Sequence, residues 1–310
     1  MTLKDWFDRA QKENFAIGAF NIDNLEIFKA VLIAAKNKKS PVIVQFSPGE
    51  VGYFGLTNIV DLVINALEEY KVPILLNLDH GAVVDDCLAA IDQPGFDLVH
   101  FDGSSLEFAE NAKITKKIVD AAHSKGIWVE GEINKFTGSS EVHSEDLDLG
   151  LLRDSYTNPM KVSEFIQETK IDIFAPCFGN VHGTFPNQPP LDFALLENIR
   201  QILPNTFLSL HGGSGIPAQE VKEAIKSGKI VKVNVNTELR QAYKRRSLRP
   251  KLKFLGQEEK HSFSCAFHLF LDKVKTNFKE ARLNLPCGFS VLSIHATRSV
   301  WLAGKGGDLD

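Results

Sequence analysis

The segment VPILLNLDHG (72–81) is an apolar run of strand length that stops on an Asp-His pair and a glycine. Two later runs, IFAPCFGNVH (173–182) and FLSLHG (207–212), also stop on a histidine. A histidine placed where a buried strand gives out lies where barrel enzymes keep their chemistry, at the carboxyl ends of the strands. His80, His182 and His211 are far apart in sequence and alike in context, which points to one shared metal ion. Three imidazoles leave a fourth position open on zinc, as a catalytic site requires.

The pattern around these runs repeats along the chain. Residues 16–22 (AIGAFNI), 41–47 (PVIVQFS), 72–79 (VPILLNLD), 97–102 (DLVHFD), 127–133 (IWVEGEI), 172–178 (DIFAPCF), 207–213 (FLSLHGG) and 231–237 (VKVNVNT) read as strands. Segments of helical period separate them, from LEIFKAVLIAAKNKK (25–39) to QEVKEAIKSG (219–228). The strands are nearly all apolar, as expected where both faces are covered. Eight strands, each followed by a helix, predict an α/β fold closed as a (β/α)8 TIM barrel over residues 1–248. An open doubly wound sheet would stop sooner. Two connections are long, 134–160 and 179–191; both follow strands, so both are expected over the barrel mouth.

Beyond residue 248 the order decays, and residues 249–310 read as an atypical, partly helical extension. Pro250 should end the helix that begins RQAYKRRSL, while Phe263, Phe267, Leu269 and Phe270 offer an apolar cluster that could dock on the barrel. Asn284–Asp310 has neither helical period nor alternation, and we expect it to bury little surface.

Composition narrows the function. With 35 basic against 39 acidic residues the net charge is −4, which argues against nucleic acid or an anionic membrane as the main partner. The N-terminus carries scattered charges, unlike a signal peptide, and no stretch approaches the roughly 18 apolar residues of a spanning helix. The four cysteines (Cys87, Cys177, Cys265, Cys287) show no CxxC pairing and read as reduced thiols of a soluble cytosolic protein.

Three sets of residues carry chemistry. Asp79 adjoins His80; a metal on His80 would polarise a carbonyl, and the carboxylate could then move a proton on the same substrate. HG (182–183), HGGSG (211–215) and NVNT (234–237) put glycines and small polar residues at the last strand ends, where backbone N–H groups and a helix N-terminus can cradle phosphate. Asp102 and Glu132 end the fourth and fifth strands, where they could hold a second cation, orient a histidine or accept hydrogen bonds.

Taken together, GAFNIDNLE (18–26), VQFSPGE (44–50), LDHG (78–81), the stretch from FDGSS to VEGEI (101–133), GNVHGTF (179–185), LSLHGGSGIP (208–217) and VKVNVNTELRQAYKR (231–245) resemble the class II ketose-bisphosphate aldolases over about residues 1–247. The resemblance implies a zinc-dependent lyase of carbohydrate metabolism and glycolysis. It would reversibly cleave fructose or tagatose 1,6-bisphosphate to dihydroxyacetone phosphate and glyceraldehyde 3-phosphate. It also implies a cytoplasmic homo-oligomer, dimer or tetramer. His80, His182 and His211 would ligate the zinc, and Asp102 and Glu132 would match carboxylates that take a second divalent or monovalent cation. Asp79 would exchange a proton with the C4 hydroxyl, and the Asn234 amide would help stabilise the enediolate left when C3–C4 breaks. Gly183, Gly212, Gly213, Ser214, Asn234, Val235, Asn236 and Thr237 would form the dihydroxyacetone-phosphate site.

Three departures stand out. The lid after the fifth strand reads EINKFTGSSEVHSED, in which Glu141 stands about one residue from the family's loop carboxylate and is assigned that catalytic place by analogy. Asn236 stands where fructose-specific members tend to carry Asp and tagatose-specific ones Ala, leaving the sugar undecided. The segment beyond residue 248 carries no resemblance. Two rivals follow. Lys232 shares a strand face with Asn234 and Asn236 and could form a Schiff base, although an interior ion pair is the expectation for it. A non-catalytic barrel that keeps metal and phosphosugar binding is the other.

Overall fold

A computed structural model of the chain describes residues 1–247; the expectations for 249–310, including Pro250 and Asn284–Asp310, lie outside the described residues. Strands β1 (Ile17–Asn21), β2 (Val42–Phe46), β3 (Ile74–Gly81), β4 (Leu98–Phe101) and β5 (Trp128–Gly131) run along the first half. They are followed by β6 (Gly138–Val142), β7 (Ile173–Phe174), β8 (His182–Thr184), β9 (Phe207–Leu210) and β10 (Ile230–Val235). Eight of these close an all-parallel barrel in the order β1-β10-β9-β7-β5-β4-β3-β2. The expected TIM barrel is therefore present. Between the strands lie α2 (Leu25–Lys38), α4 (Leu56–Tyr70), α5 (Val84–Asp92), α6 (Phe108–His123), α8 (Pro159–Thr169), α9 (Phe193–Ile202) and α10 (Ala218–Ser227). After β10, α11 (Thr237–Ser247) completes the described chain.

Two features at the lower rim and mouth were not read from the sequence. Helix α1 (Leu3–Glu13) precedes β1; Thr2 caps it in a reciprocal box with Asp5, and it buries Leu3, Trp6, Phe7 and Ala10. The Phe7 ring lies 5.4 Å from that of Phe207 and 6.0 Å from that of Trp128, so α1 plugs the end of the barrel remote from the histidines. At the mouth, β6 and β8 pair in parallel as a separate two-stranded sheet built from the two long connections. Short helices α3 (Pro48–Phe54) and α7 (Leu149–Asp154) also lie in strand-to-helix connections.

The expected strand 172–178 keeps only Ile173–Phe174 in the ladder. Pro176 has no N–H to give, while the Cys177 and Phe178 amides donate to Thr157 Oγ1 and Asn180 Oδ1 at 2.8 and 2.9 Å. The chain thus leaves the sheet early and carries His182 up into β8.

The barrel interior is layered, by side-chain alternation along the strands and, where Val231 and Lys232 adjoin in β10, by an irregularity between Ile230 and Lys232. Ile17, Ile43, Leu75, Leu98, Ile173, Phe207 and Val231 belong to one buried apolar cluster with α1 at the lower end. One strand turn higher the buried residues are polar: Asn21, Gln45, Asn77, His100, Glu130, Ser209 and Lys232. The functional residues sit on that polar layer.

Candidate active site and metal centre

Asp79 and His80 are sequence neighbours that both face one cavity of about 500 Å³. A regular strand would send them to opposite faces. Here the β3–β4 register slips between Leu78 and Gly81, and His80 adopts a left-handed backbone with φ 50°. His182 enters from β8 and His211 from the turn after β9, and one nitrogen of each of the three rings lies within 4.8 Å of the others. The three strand-end histidines do converge.

The carboxylates around them set the tautomers. Asp102 Oδ2 lies 3.0 Å from His80 Nδ1, and Glu130 Oε1 lies 2.9 Å from His211 Nε2. Burial opposes charge on Asp102, but its bond to His80 outweighs that and holds it well below the usual carboxylate range; Lys232 does the same for Glu130. Ionised carboxylates accept only, so the proton sits on His80 Nδ1 and on His211 Nε2. The remaining nitrogens, His80 Nε2 and His211 Nδ1, face each other at 3.1 Å. Two lone pairs so placed would repel; a proton on His80 Nε2 donated to His211 Nδ1, or a cation bound by both, relieves the contact. Burial pushes His211 down to about 4 and His182 well below its ordinary value, so both stay in the neutral form that metal binding needs. His80 moves the other way: burial opposes charge, but Asp79 and the Asp102 bond favour it. The donor set, with each carboxylate behind its imidazole, fits a divalent cation.

Asp79 is buried and anionic. Burial alone would raise it, but His80, His100, Lys232 and His211 hold it well below its usual range. Its Oδ2 accepts from Asn21 Nδ2 (2.9 Å) and Gln45 Nε2 (3.2 Å), and its Oδ1 from Asn234 Nδ2 (3.3 Å). Asn234 is thus placed beside both Asp79 and the His211 ring. Asp102 is committed to His80 and to Ser104, whose N–H and hydroxyl it accepts at 3.1 and 2.6 Å. Glu132 differs: its Oε2 makes no hydrogen bond, lying 3.5 Å from His100 Nε2, and burial pushes it up to about 7. His80, Asp102 and Glu132 form a second cluster able to hold a cation.

The phosphate cradle forms across the mouth from β3. Gly183, Gly212, Ser214, Asn234, Asn236 and Thr237 all line the cavity. Gly212 (φ 65°) and Gly183 (φ 94°) admit no side chain: a Cβ on them would lie 1.9 Å from the Val181 carbonyl oxygen and 2.3 Å from that of Ser139. Thr237 opens α11, so the helix N-terminus faces the cavity. Two assigned residues stand apart. The Gly213 N–H donates to the Asn234 carbonyl at 2.9 Å, and the Val235 side chain packs in the core between strands and helices rather than on the cavity wall. Glu141 is exposed on β6, and its neighbours Gly138 and Ser140, not Glu141 itself, line the cavity.

Several residues of the site escaped the sequence reading. His100, fully buried on β4, accepts the His80 N–H on Nδ1 at 3.2 Å. Burial opposes charge on it, but bonding toward Asp79 and Glu132 prevails and pushes it up to about 10. A second proton on Nδ1 would confront the His80 N–H, so the amide contact belongs to the singly protonated ring. Phe136 stacks on His211 with ring centres 5.2 Å apart and leans on His182 at 5.0 Å. Ser47 and Arg240 line the cavity, with Arg240 held by Asp23 at 2.8 Å and Glu50 at 3.2 Å. The signal available for His100 and Glu130 was a polar residue at every second place of an otherwise apolar strand. Lys232 is buried with its Nζ 2.5 Å from Glu130 Oε2, the interior ion pair expected, and is not on the cavity wall. A Schiff-base role for it has no geometric support.

Comparison with known proteins agrees with this reading. The sequence model of the family described as fructose-bisphosphate aldolase class-II matches residues 1–282, further than the motifs reached. A fructose-bisphosphate aldolase of Geobacillus stearothermophilus is 39% identical over 241 residues, 77% of this chain and 81% of that protein. A probable fructose-bisphosphate aldolase of Bacillus subtilis (strain 168) is 37% identical over 243 residues, with the same two shares. Among solved structures, a putative fructose-1,6-biphosphate aldolase from Coccidioides immitis superposes with a TM-score of 0.76 at 28% identity, over 89% of this chain and 97% of that one. The YdjI aldolase from Escherichia coli K12 gives 0.71 at 29% identity, over 89% and 96%. A closed parallel barrel, a histidine centre beside a buried carboxylate, and matching sequence over most of its length show that the chain belongs to the class II fructose-bisphosphate aldolase family and is an aldolase, a carbon–carbon lyase.

Proposed function

We propose that this aldolase reversibly cleaves a ketose 1,6-bisphosphate, fructose or tagatose, to dihydroxyacetone phosphate and glyceraldehyde 3-phosphate, with zinc held by His80, His182 and His211. The observation that carries the reading is the convergence of His80, His182 and His211, with His80 Nε2 and His211 Nδ1 3.1 Å apart, on one cavity with the Asp79 carboxylate. His80, His182 and His211 would hold the zinc, which would supply the positive charge that polarises a substrate carbonyl. Asp79, anionic and held by three amide donors, takes the proton of the C4 hydroxyl. Asn234, within reach of both Asp79 and His211, stabilises negative charge that develops on the three-carbon fragment. Gly183, Gly212, Ser214 and the α11 N-terminus at Thr237 bind one phosphate; Gly213 and Val235 contribute through the backbone that shapes the turn. Arg240, further along α11 and also lining the cavity, offers a positive charge for the second phosphate from its place between Asp23 and Glu50. Glu132, with an oxygen that makes no hydrogen bond, is the better placed of the two carboxylates for a further cation, whereas Asp102 orients His80. Glu141 acts only if the β6 segment moves. A cavity of this size suits a small phosphosugar.

No helix among the described residues is long and apolar enough to cross a membrane, and we propose a cytoplasmic homo-oligomer. The deciding experiment is turnover of fructose and tagatose 1,6-bisphosphate before and after removal of metal with a chelator, with zinc added back. Turnover lost to the chelator and restored by zinc supports the reading. Full turnover in chelator, or covalent trapping by borohydride with substrate, defeats it.

A further inference from the structure

The catalytic wall depends on one unusual turn. His80 is left-handed at φ 50°, a conformation that costs a residue other than glycine on the order of 1–2 kcal/mol. The register slip between Leu78 and Gly81 leaves the His80 N–H outside the β3–β4 ladder. A buried amide without a partner would add a further penalty. This amide reaches no carbonyl; it donates to the Nδ1 of His100 at 3.2 Å. His100 sits on β4, fully buried, its ring centre 4.5 Å from that of His80.

We propose that His100 is a positioning residue of this active site: by accepting the His80 amide it holds the left-handed turn that brings the Asp79 carboxylate and the His80 imidazole to the same cavity wall. As far as it concerns the metal, the inference rests on the reading of His80 as a zinc ligand. An acceptor at Nδ1 leaves the ring proton on Nε2, which points to Glu132 Oε2 at 3.5 Å, and neither atom has another partner. One ring therefore links the turn of β3 to the carboxylate that follows β5. Leucine could fill the space but could not accept the amide. Asparagine could, because its Oδ1 falls close to the place of Nδ1.

The test compares wild type with His100→Asn and His100→Leu, using His100→Met in place of leucine if leucine lowers the unfolding midpoint. Hydrogen–deuterium exchange at the His80 amide reads the contact directly. Cobalt(II) titration, followed by absorbance and by competition with a chelator, reads the metal geometry. We expect slow exchange in wild type and His100→Asn, and exchange faster by roughly tenfold or more in the leucine variant, the equivalent of one lost buried hydrogen bond. Cobalt affinity should fall about 10- to 100-fold in His100→Leu, the usual range when a ligand loses its support, with an altered spectrum, while His100→Asn stays close to wild type. A folded leucine variant with wild-type exchange and cobalt spectrum overturns the proposal. So does an asparagine variant as impaired as the leucine one. If wild type takes up no cobalt, the metal reading fails by itself, and the exchange at His80 still decides the role of His100.

Discussion

Asp79 accepts from three amides, those of Asn21, Gln45 and Asn234, and donates to nothing. Replacing it with asparagine turns one acceptor into a donor, which then faces the Asn234 amide. That amide can flip, because its own Oδ1 is buried without a partner. Asp79→Asn should therefore fold and keep normal metal content while turnover falls roughly 10²- to 10⁴-fold, the usual cost of losing a proton-transfer group. Steady-state rates with metal analysis on the same sample check it; wild-type turnover would make Asp79 a structural residue. At this scale the sequence was a partial guide. Asp79 and the three histidines stood out because they end apolar runs. His100 and Glu130 did not, because each lies inside a strand, where only inward-facing alternation marks it and where the partner it pairs with is remote in sequence; Lys232 was legible as an interior ion-pair residue, but not its partner Glu130.

Elements carry the site through their ends. The turn after β9 approaches the backbone before His182 so closely that a Cβ on Gly212 would meet the Val181 oxygen at 1.9 Å. Gly212→Ala must displace that segment and hold alanine at φ 65°, so it should cost at least the roughly 1–3 kcal/mol of a strained backbone site and weaken phosphosugar binding as His182 shifts. Gly52→Ala is the matched control: its Cβ meets nothing within 4 Å, and it lies inside α3, where alanine is favoured over glycine by roughly 0.5–1 kcal/mol. Thermal unfolding and KM of both variants would decide; equal behaviour would mean that the turn yields easily. Strands and crossover helices were legible here because their periods differ, and the glycines were legible as a cradle. The shortening of the β7 strand at Pro176 and the pairing of β6 with β8 were not, since both depend on where freed backbone amides find partners. Helix α1 did carry a signal, the Thr2–Asp5 box ahead of Leu3, Trp6, Phe7 and Ala10, and its docking surface is the closed barrel end that no local pattern displays.

For the whole molecule the division of labour is between a barrel that builds the site and a segment after it. Every residue assigned to metal, proton transfer or phosphate lies between Asp79 and Arg240, and the family match ends at residue 282. Asn284–Asp310 therefore falls beyond both, with a sequence that shows neither helical period nor strand alternation. Residues that bury little surface contribute little to stability, and most substitutions or deletions among them stay within about 0.5 kcal/mol. Truncation after Leu283 should accordingly leave the unfolding midpoint, the bound metal and the phosphosugar affinity close to those of the full chain. Calorimetry with and without zinc separates the contributions, because a ligand that binds only the folded state raises the midpoint through mass action, and that increment should be the same for both lengths. A large drop in midpoint common to both metal states would mean that Asn284–Asp310 packs on the barrel. A drop confined to the zinc increment would mean that it reaches the site, and turnover of the truncated chain would then fall with it.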